Sequence, residues 1–79
     1  MSRYIATFHT HLSALLTCQS LTASGAEARM MPVPRKLSAS CGTCVVYQAA
    51  APLLDKMDAD VERVFQVDGE TYTLLLENE

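Results

Sequence analysis

Apolar and polar positions along the chain change their spacing segment by segment, and that change divides it into elements. Tyr4-Ile5-Ala6-Thr7-Phe8 is short, rich in residues that favour strands and cut off by a polar cluster, so it predicts a strand near the start of the chain. Thr10 then offers a helix cap. Leu12, Leu15, Leu16 and Gln19, with Ala14, Cys18 and Leu21 alongside, keep the three-and-four spacing of one helical face up to a stop at Gly25. Glu27 to Val33 alternates again and runs into Pro32 and Pro34, which predicts a strand at an edge or an exit. Pro34 to Gly42 reads as a loop, and Cys44-Val45-Val46-Tyr47 as a third strand. Gln48 to Asp58, with Pro52 in its first turn and Leu53, Leu54 and Met57 on one face, predicts a second helix. Arg63 to Val67 and Thr71 to Leu76 flank Asp68-Gly69, a strong signal for a hairpin.

The order is strand, helix, strand, strand, helix, strand, with one further strand at the end. It predicts an α+β domain of the ferredoxin-like, split βαβ kind: one antiparallel sheet with two helices on one face, in a single domain over residues 1–79. If the first two strands run parallel through the first helix, the end of the first strand, the start of that helix and the loop holding Cys41 share one edge of the sheet. His9, Thr10 and His11 are then expected neighbours of the thiols. No internal repeat competes with this reading.

Composition narrows the function classes. The chain has 79 residues, 49% hydrophobic, with a net charge of -3 and no tryptophan. A domain this small leaves little core for an enclosed substrate chamber. A negative balance argues against a nucleic-acid partner, which needs Lys and Arg in excess. The acids crowd the last third, from Asp55 to Glu79, whereas Arg29, Arg35 and Lys36 stand just ahead of the thiols. No segment is long and apolar enough to predict a membrane span, and the amino terminus lacks the features of a secretory signal, so a cytoplasmic protein is expected. Three cysteines in a reducing compartment point to reactive or metal-binding thiols rather than a disulfide framework.

Ser38-Ala39-Ser40-Cys41-Gly42-Thr43-Cys44 carries the chemistry. The thiolate is the reactive form of cysteine, and at an ordinary pKa only roughly 3% of a free thiol is ionised at neutral pH. Arg35 and Lys36, the backbone around Gly42 and the positive end of the first helix each offer the thiolate of Cys41 stabilisation. Gly42 beside Cys41 leaves the sulfur unhindered. Cys44 heads an apolar strand and reads equally as a core residue or as a resolving thiol, while Cys18 reads as core packing. A zinc site has only half its ligands in the Cys-x-x-Cys pair, and His9 and His11 would have to complete it across the sheet edge. A redox motif of the thioredoxin kind opens a helix, whereas this pair precedes a strand. No cofactor motif is present.

The strand and helix followed by Pro34-Arg35-Lys36-Leu37-Ser38-Ala39-Ser40-Cys41-Gly42 resemble the selenium/sulfur carrier protein-like family, whose signature is P-R-x-x-S-x-x-C-G; the resemblance covers about residues 3 to 67. It implies a carrier rather than an enzyme. Cys41 matches the carrying thiol, holding sulfur or selenium as a persulfide or perselenide between a donor enzyme and an acceptor protein. Arg35 and Lys36 would stabilise the anion, Ser38 and Ser40 would shape the loop with Gly42, and Cys44 would decide between carriage and reductive release. Two features depart from the family pattern: Cys44 itself, and the strand Thr71 to Leu76, which adds an edge open to homodimer formation. Beside this reading stand a metal-binding module built on Cys41, Cys44 and His9 or His11, and a protein-interaction domain without thiol chemistry.

Overall fold

Seven residues, Ser2–Phe8, form the central strand β1, and the five from Tyr4 to Phe8 are all buried because β1 has a strand on each side. The structure is a computed structural model describing residues 1–37, 39 and 41–78. After β1 come α1 (His11–Ala23), β2 (Glu27–Pro32), β3 (Thr43–Ala49), a short 3-10 helix (Leu54–Lys56), β4 (Val61–Asp68) and β5 (Thr71–Glu77). The five strands form one antiparallel sheet in the order β2-β3-β1-β4-β5. Thus β1 and β2, joined through α1, run the same way with β3 between them.

Local chemistry sets the bounds of α1. The Thr10 side-chain oxygen accepts a hydrogen bond from the Ser13 N–H at 3.1 Å, filling one donor that the first turn cannot use internally. At the other end Gly25, with φ +94°, turns the chain so that Gly25 N–H donates to Thr22 O and Ala26 N–H to Leu21 O. This pair of bonds closes the helix as a Schellman motif, a backbone shape that a side chain at residue 25 would strain.

Only part of the expected face of α1 is buried: Ala14 and Leu21 are, and Cys18 packs on the core, but the leucines at 12, 15 and 16 are not. Ser13, Ala14, Thr17 and Leu21 are buried, whereas Leu12, Leu15 and Leu16 are 62%, 40% and 44% exposed. Both sets obey helical spacing, so periodicity alone does not choose between them. Volume and polar partners do. Below the helix the sheet presents Tyr4, Phe8 and Tyr47, with the Tyr4 and Tyr47 rings stacked at 5.2 Å, and small residues let α1 approach these large ones. The Ser13 hydroxyl donates to Asp58 Oδ2 at 2.8 Å, and Thr17 Oγ1 accepts from the Asp58 N–H at 2.9 Å, so both buried hydroxyls are satisfied.

The second helix expected from Gln48 to Asp58 is absent. Gln48 and Ala49 still belong to β3, paired with Arg3 and Ser2. Pro52 disfavours helix in the residue before it, and Leu53 adopts the left-handed region at φ 52°, ψ 44°, which no α-helix continues through. One 3-10 turn follows. Leu53, Leu54 and Met57 nevertheless pack on the core, so the apolar residues of this segment reach the sheet without a helix. Three tethers replace it: the Tyr47 hydroxyl donating to Pro52 O, and the two Asp58 bonds to α1.

Because side chains alternate along a strand, Val45 and Tyr47 join the core under α1, while Cys44 and Val46 belong to the opposite face with Ile5 and Phe65. No helix of the described residues is long and apolar enough to cross a membrane.

Candidate functional site

Topology assembles the site at one end of the sheet. Thr7 pairs with Cys44 and Pro32 with Thr43, so the end of β1, the end of β2 and the start of β3 lie together, with α1 beginning beside them. The juxtaposition expected from a split βαβ order is therefore present around Cys41. The His11 ring lies 3.4 Å, Nδ1 to Oγ1, from Thr43, which ties the first turn of α1 to the thiol-bearing turn.

The loop between β2 and β3 is held by its own backbone. Leu37 N–H donates to Pro34 O at 3.0 Å, forming a turn whose two central residues are Arg35 and Lys36, both exposed. Gly42 N–H donates to Ala39 O, and Val33 N–H to Gly42 O, closing the loop at its base. Gly42 has φ +73°, and a Cβ there would meet nothing within 4 Å, so glycine serves the backbone conformation rather than a close approach. No ion pair joins Arg35 or Lys36 to a described residue. Ser38 and Ser40 lie outside the described residues.

Cys41 is half-buried, packs against the core cluster and donates its S–H to Phe8 O at 3.4 Å and Thr43 O at 3.5 Å. Both partners are backbone carbonyls, which suit a sulfur that carries a proton and hold the side chain against the end of β1. Gly42 next to it is exposed, so one side of the thiol borders solvent.

Cys44 is different in kind. It is fully buried, its S–H faces Pro32 O at 3.8 Å, and burial, followed by the nearby Cys41, pushes its pKa from 9.0 to about 11. At neutral pH only about one molecule in ten thousand carries it as a thiolate. The two cysteines are unbridged. Burial and the raised pKa both hold Cys44 in its thiol form in the folded chain.

This burial predicts a pH effect. Below pH 9 the Cys44 thiol is protonated whether the chain is folded or not. Above it, the unfolded chain releases the proton while the folded chain holds it up to about pH 11, so stability falls across that window as pH rises. The loss is on the order of 2 kcal/mol. Burial raises the Tyr47 hydroxyl in the same direction, which extends the loss to still higher pH. Urea denaturation of wild type and Cys44→Ala between about pH 8 and pH 11 measures it: the variant is expected to lose roughly 2 kcal/mol less over the window. Equal losses in the two proteins would contradict the assignment.

The histidines do not join the thiols as a metal set. His9 Nδ1 lies 3.7 Å from Glu62 Oε2 and His11 faces Thr43. Among the described residues no three of His, Cys, Asp and Glu gather closely enough to hold a metal ion. Cys18, on α1, is half-buried and packs against the core, as its position on the helix suggests. What sequence reasoning missed are the carbonyls of Phe8, Thr43 and Pro32, which hold the two sulfurs. Backbone acceptors leave no mark in residue type, and only the register of the strands reveals them.

Residues 3–64 match the model of the family described as "Putative Se/S carrier protein-like". No curated protein matches the chain, and no solved structure does.

Proposed function

Since the chain belongs to this Se/S carrier protein-like family, we propose that it carries a sulfur or selenium atom on Cys41 between a donor enzyme and an acceptor protein. The observation that carries the proposal is the position of Cys41: half-buried against the end of β1, next to an exposed glycine, in the loop whose other turn bears Arg35 and Lys36. The frame behind it we read as ferredoxin-like, with its second helix reduced to one turn. In loading, the Cys41 thiol gives up its proton and attacks the outer sulfur of a donor persulfide. The donor's S–S bond breaks, the donor leaves as a thiolate that takes up a proton, and Cys41 holds the outer sulfur as a persulfide. Delivery is the same exchange toward an acceptor nucleophile, so neither step needs an external oxidant or reductant. Arg35 and Lys36, in the same loop, supply positive charge toward the anionic forms.

Cys44 favours carriage over release in this scheme. Attack by Cys44 on loaded Cys41 would expel sulfide and leave a disulfide, and the buried, protonated thiol makes that attack slow. The test uses isotopically labelled sulfur. Protein loaded from a cysteine desulfurase and labelled cysteine, freed of donor and mixed with an acceptor thiol, is expected to pass the label on as a persulfide. Label that never enters the protein would overturn the proposal.

A further inference from the structure

The two edges of the sheet are built differently. The outer strand on one side, β2, carries Glu27 and Arg29 and ends at Pro32, devices that discourage another strand from pairing there. At the other edge, β5 has none of these between Thr71 and Leu75. Thr71-Tyr72-Thr73-Leu74-Leu75 contains no charge and no proline, Leu74 and Leu75 are 47% and 36% exposed, and only β4 pairs with it among the described residues. Its outward N–H and C=O groups form an unprotected template.

We propose that β5 pairs antiparallel with β5 of a second copy of this chain, across a two-fold axis at Thr73, to give a continuous ten-stranded sheet. Residue type and charge select this partner and orientation. Antiparallel pairing about Thr73 sets Thr73 against Thr73 and Tyr72 against Leu74, with Thr71 opposite Leu75 where the pairing ends, and no like charges face each other. The acids lie outside the segment, at Asp68, Glu70 and Glu77. A parallel, in-register pairing would instead line Glu70 with Glu70 and Glu77 with Glu77. The segment also has a built-in end: Phe65 pairs with Leu74 but Val64 with Leu76, so a bulge at Leu75 bends β5 away just where the uncharged stretch stops.

The pairing continues a feature of the face opposite α1. Val46, Ile5, Phe65 and Leu74 stand directly across from one another on β3, β1, β4 and β5. Tyr72, whose ring meets Phe65 edge-on at 6.3 Å, belongs to the same face. Across the axis Leu74 meets the copy's Tyr72, so the apolar row runs from one protomer into the other. Two carriers then share one rigid sheet. Their Cys41 sites lie two strands in from the joint, near β1 and β3, and stay open.

Sedimentation of the full chain over a range of concentrations, with crosslinking through a single introduced cysteine, tests the arrangement. Directly opposed residues of an antiparallel pair have Cα atoms about 4.5 to 5.5 Å apart, within disulfide reach, whereas Thr71 and its copy would be on the order of 13 Å apart. A dimer is expected, and Leu74→Lys is expected to be monomeric but folded. On mild oxidation Thr73→Cys should yield at least about tenfold more of the peptide pair bridged through the introduced thiol than Thr71→Cys yields of its own. A monomer at every concentration, a dimer that Leu74→Lys leaves intact, or equal crosslinking at both positions would overturn it. The outcome does not depend on whether Cys41 takes up sulfur.

Discussion

Cys41→Ser is expected to abolish sulfur loading, while Cys44→Ser loads as wild type does. A serine hydroxyl stays protonated near neutral pH and forms no bond to sulfane sulfur that survives purification, so the variant has nowhere to hold the atom. The same change at residue 44 replaces one small donor by another at a buried position facing Pro32 O, away from the solvent side of Cys41. Intact mass after exposure to desulfurase and cysteine reads both results. Loading that persists in Cys41→Ser removes Cys41 as carrier; loading lost in Cys44→Ser as well makes the two thiols a single functional unit.

The second large effect concerns the crossover from β3 to β4, where the missing helix leaves Asp58 to anchor the chain. Its Oδ2 accepts from the Ser13 hydroxyl at 2.8 Å and from the Asp60 N–H at 3.2 Å, and its own N–H donates to Thr17. Ser13 is 2% exposed, so removing the carboxylate strands a buried hydroxyl as well as breaking a charge-assisted bond. Asp58→Ala is expected to cost about 2 to 3 kcal/mol by urea denaturation, and Asp58→Asn, which keeps an acceptor, clearly less. A cost below about 0.5 kcal/mol for the alanine variant, the range of an ordinary surface change, would mean that the crossover is held without the carboxylate, by its apolar contacts and its two remaining hydrogen bonds.

Asp58 also shows why part of the fold was hidden in the sequence. β1, β2 and the β4–β5 hairpin were legible because strand-forming residues and turn residues mark them locally, and α1 because Thr10 and Gly25 cap it. The side of α1 that faces the sheet was legible only in part: Ala14 and Leu21 belong to the expected face, Ser13 and Thr17 do not. Leucines at 12, 15 and 16 and the set Ser13, Ala14, Thr17 and Leu21 both follow helical spacing, and the buried choice depends on Asp58, which lies far along the chain. The second helix failed for a related reason. Pro52 suits a first turn, but the length of β1, which starts at Ser2, draws Gln48 and Ala49 into β3, and the left-handed Leu53 then leaves room for a single turn.

The site divides along the same line. Cys41, Gly42 and the basic pair stand out by residue type alone, and topology brings His11 and the start of α1 to the edge where Cys41 lies. The depth of Cys44 was only half legible from Val45 and Val46 beside it. Its complete burial arises from pairing with both Thr7 and Met31, a property of a strand inside the sheet.

The most direct measurement is the location of the added atom in wild-type protein. After anaerobic loading, persulfides are trapped by alkylation and the peptides containing Cys18, Cys41 and Cys44 are weighed separately. The account predicts one extra sulfur on Cys41 alone, with Cys44 as an unmodified thiol. An extra sulfur on Cys18 or Cys44, or a Cys41–Cys44 disulfide with sulfide released, would contradict carriage on Cys41.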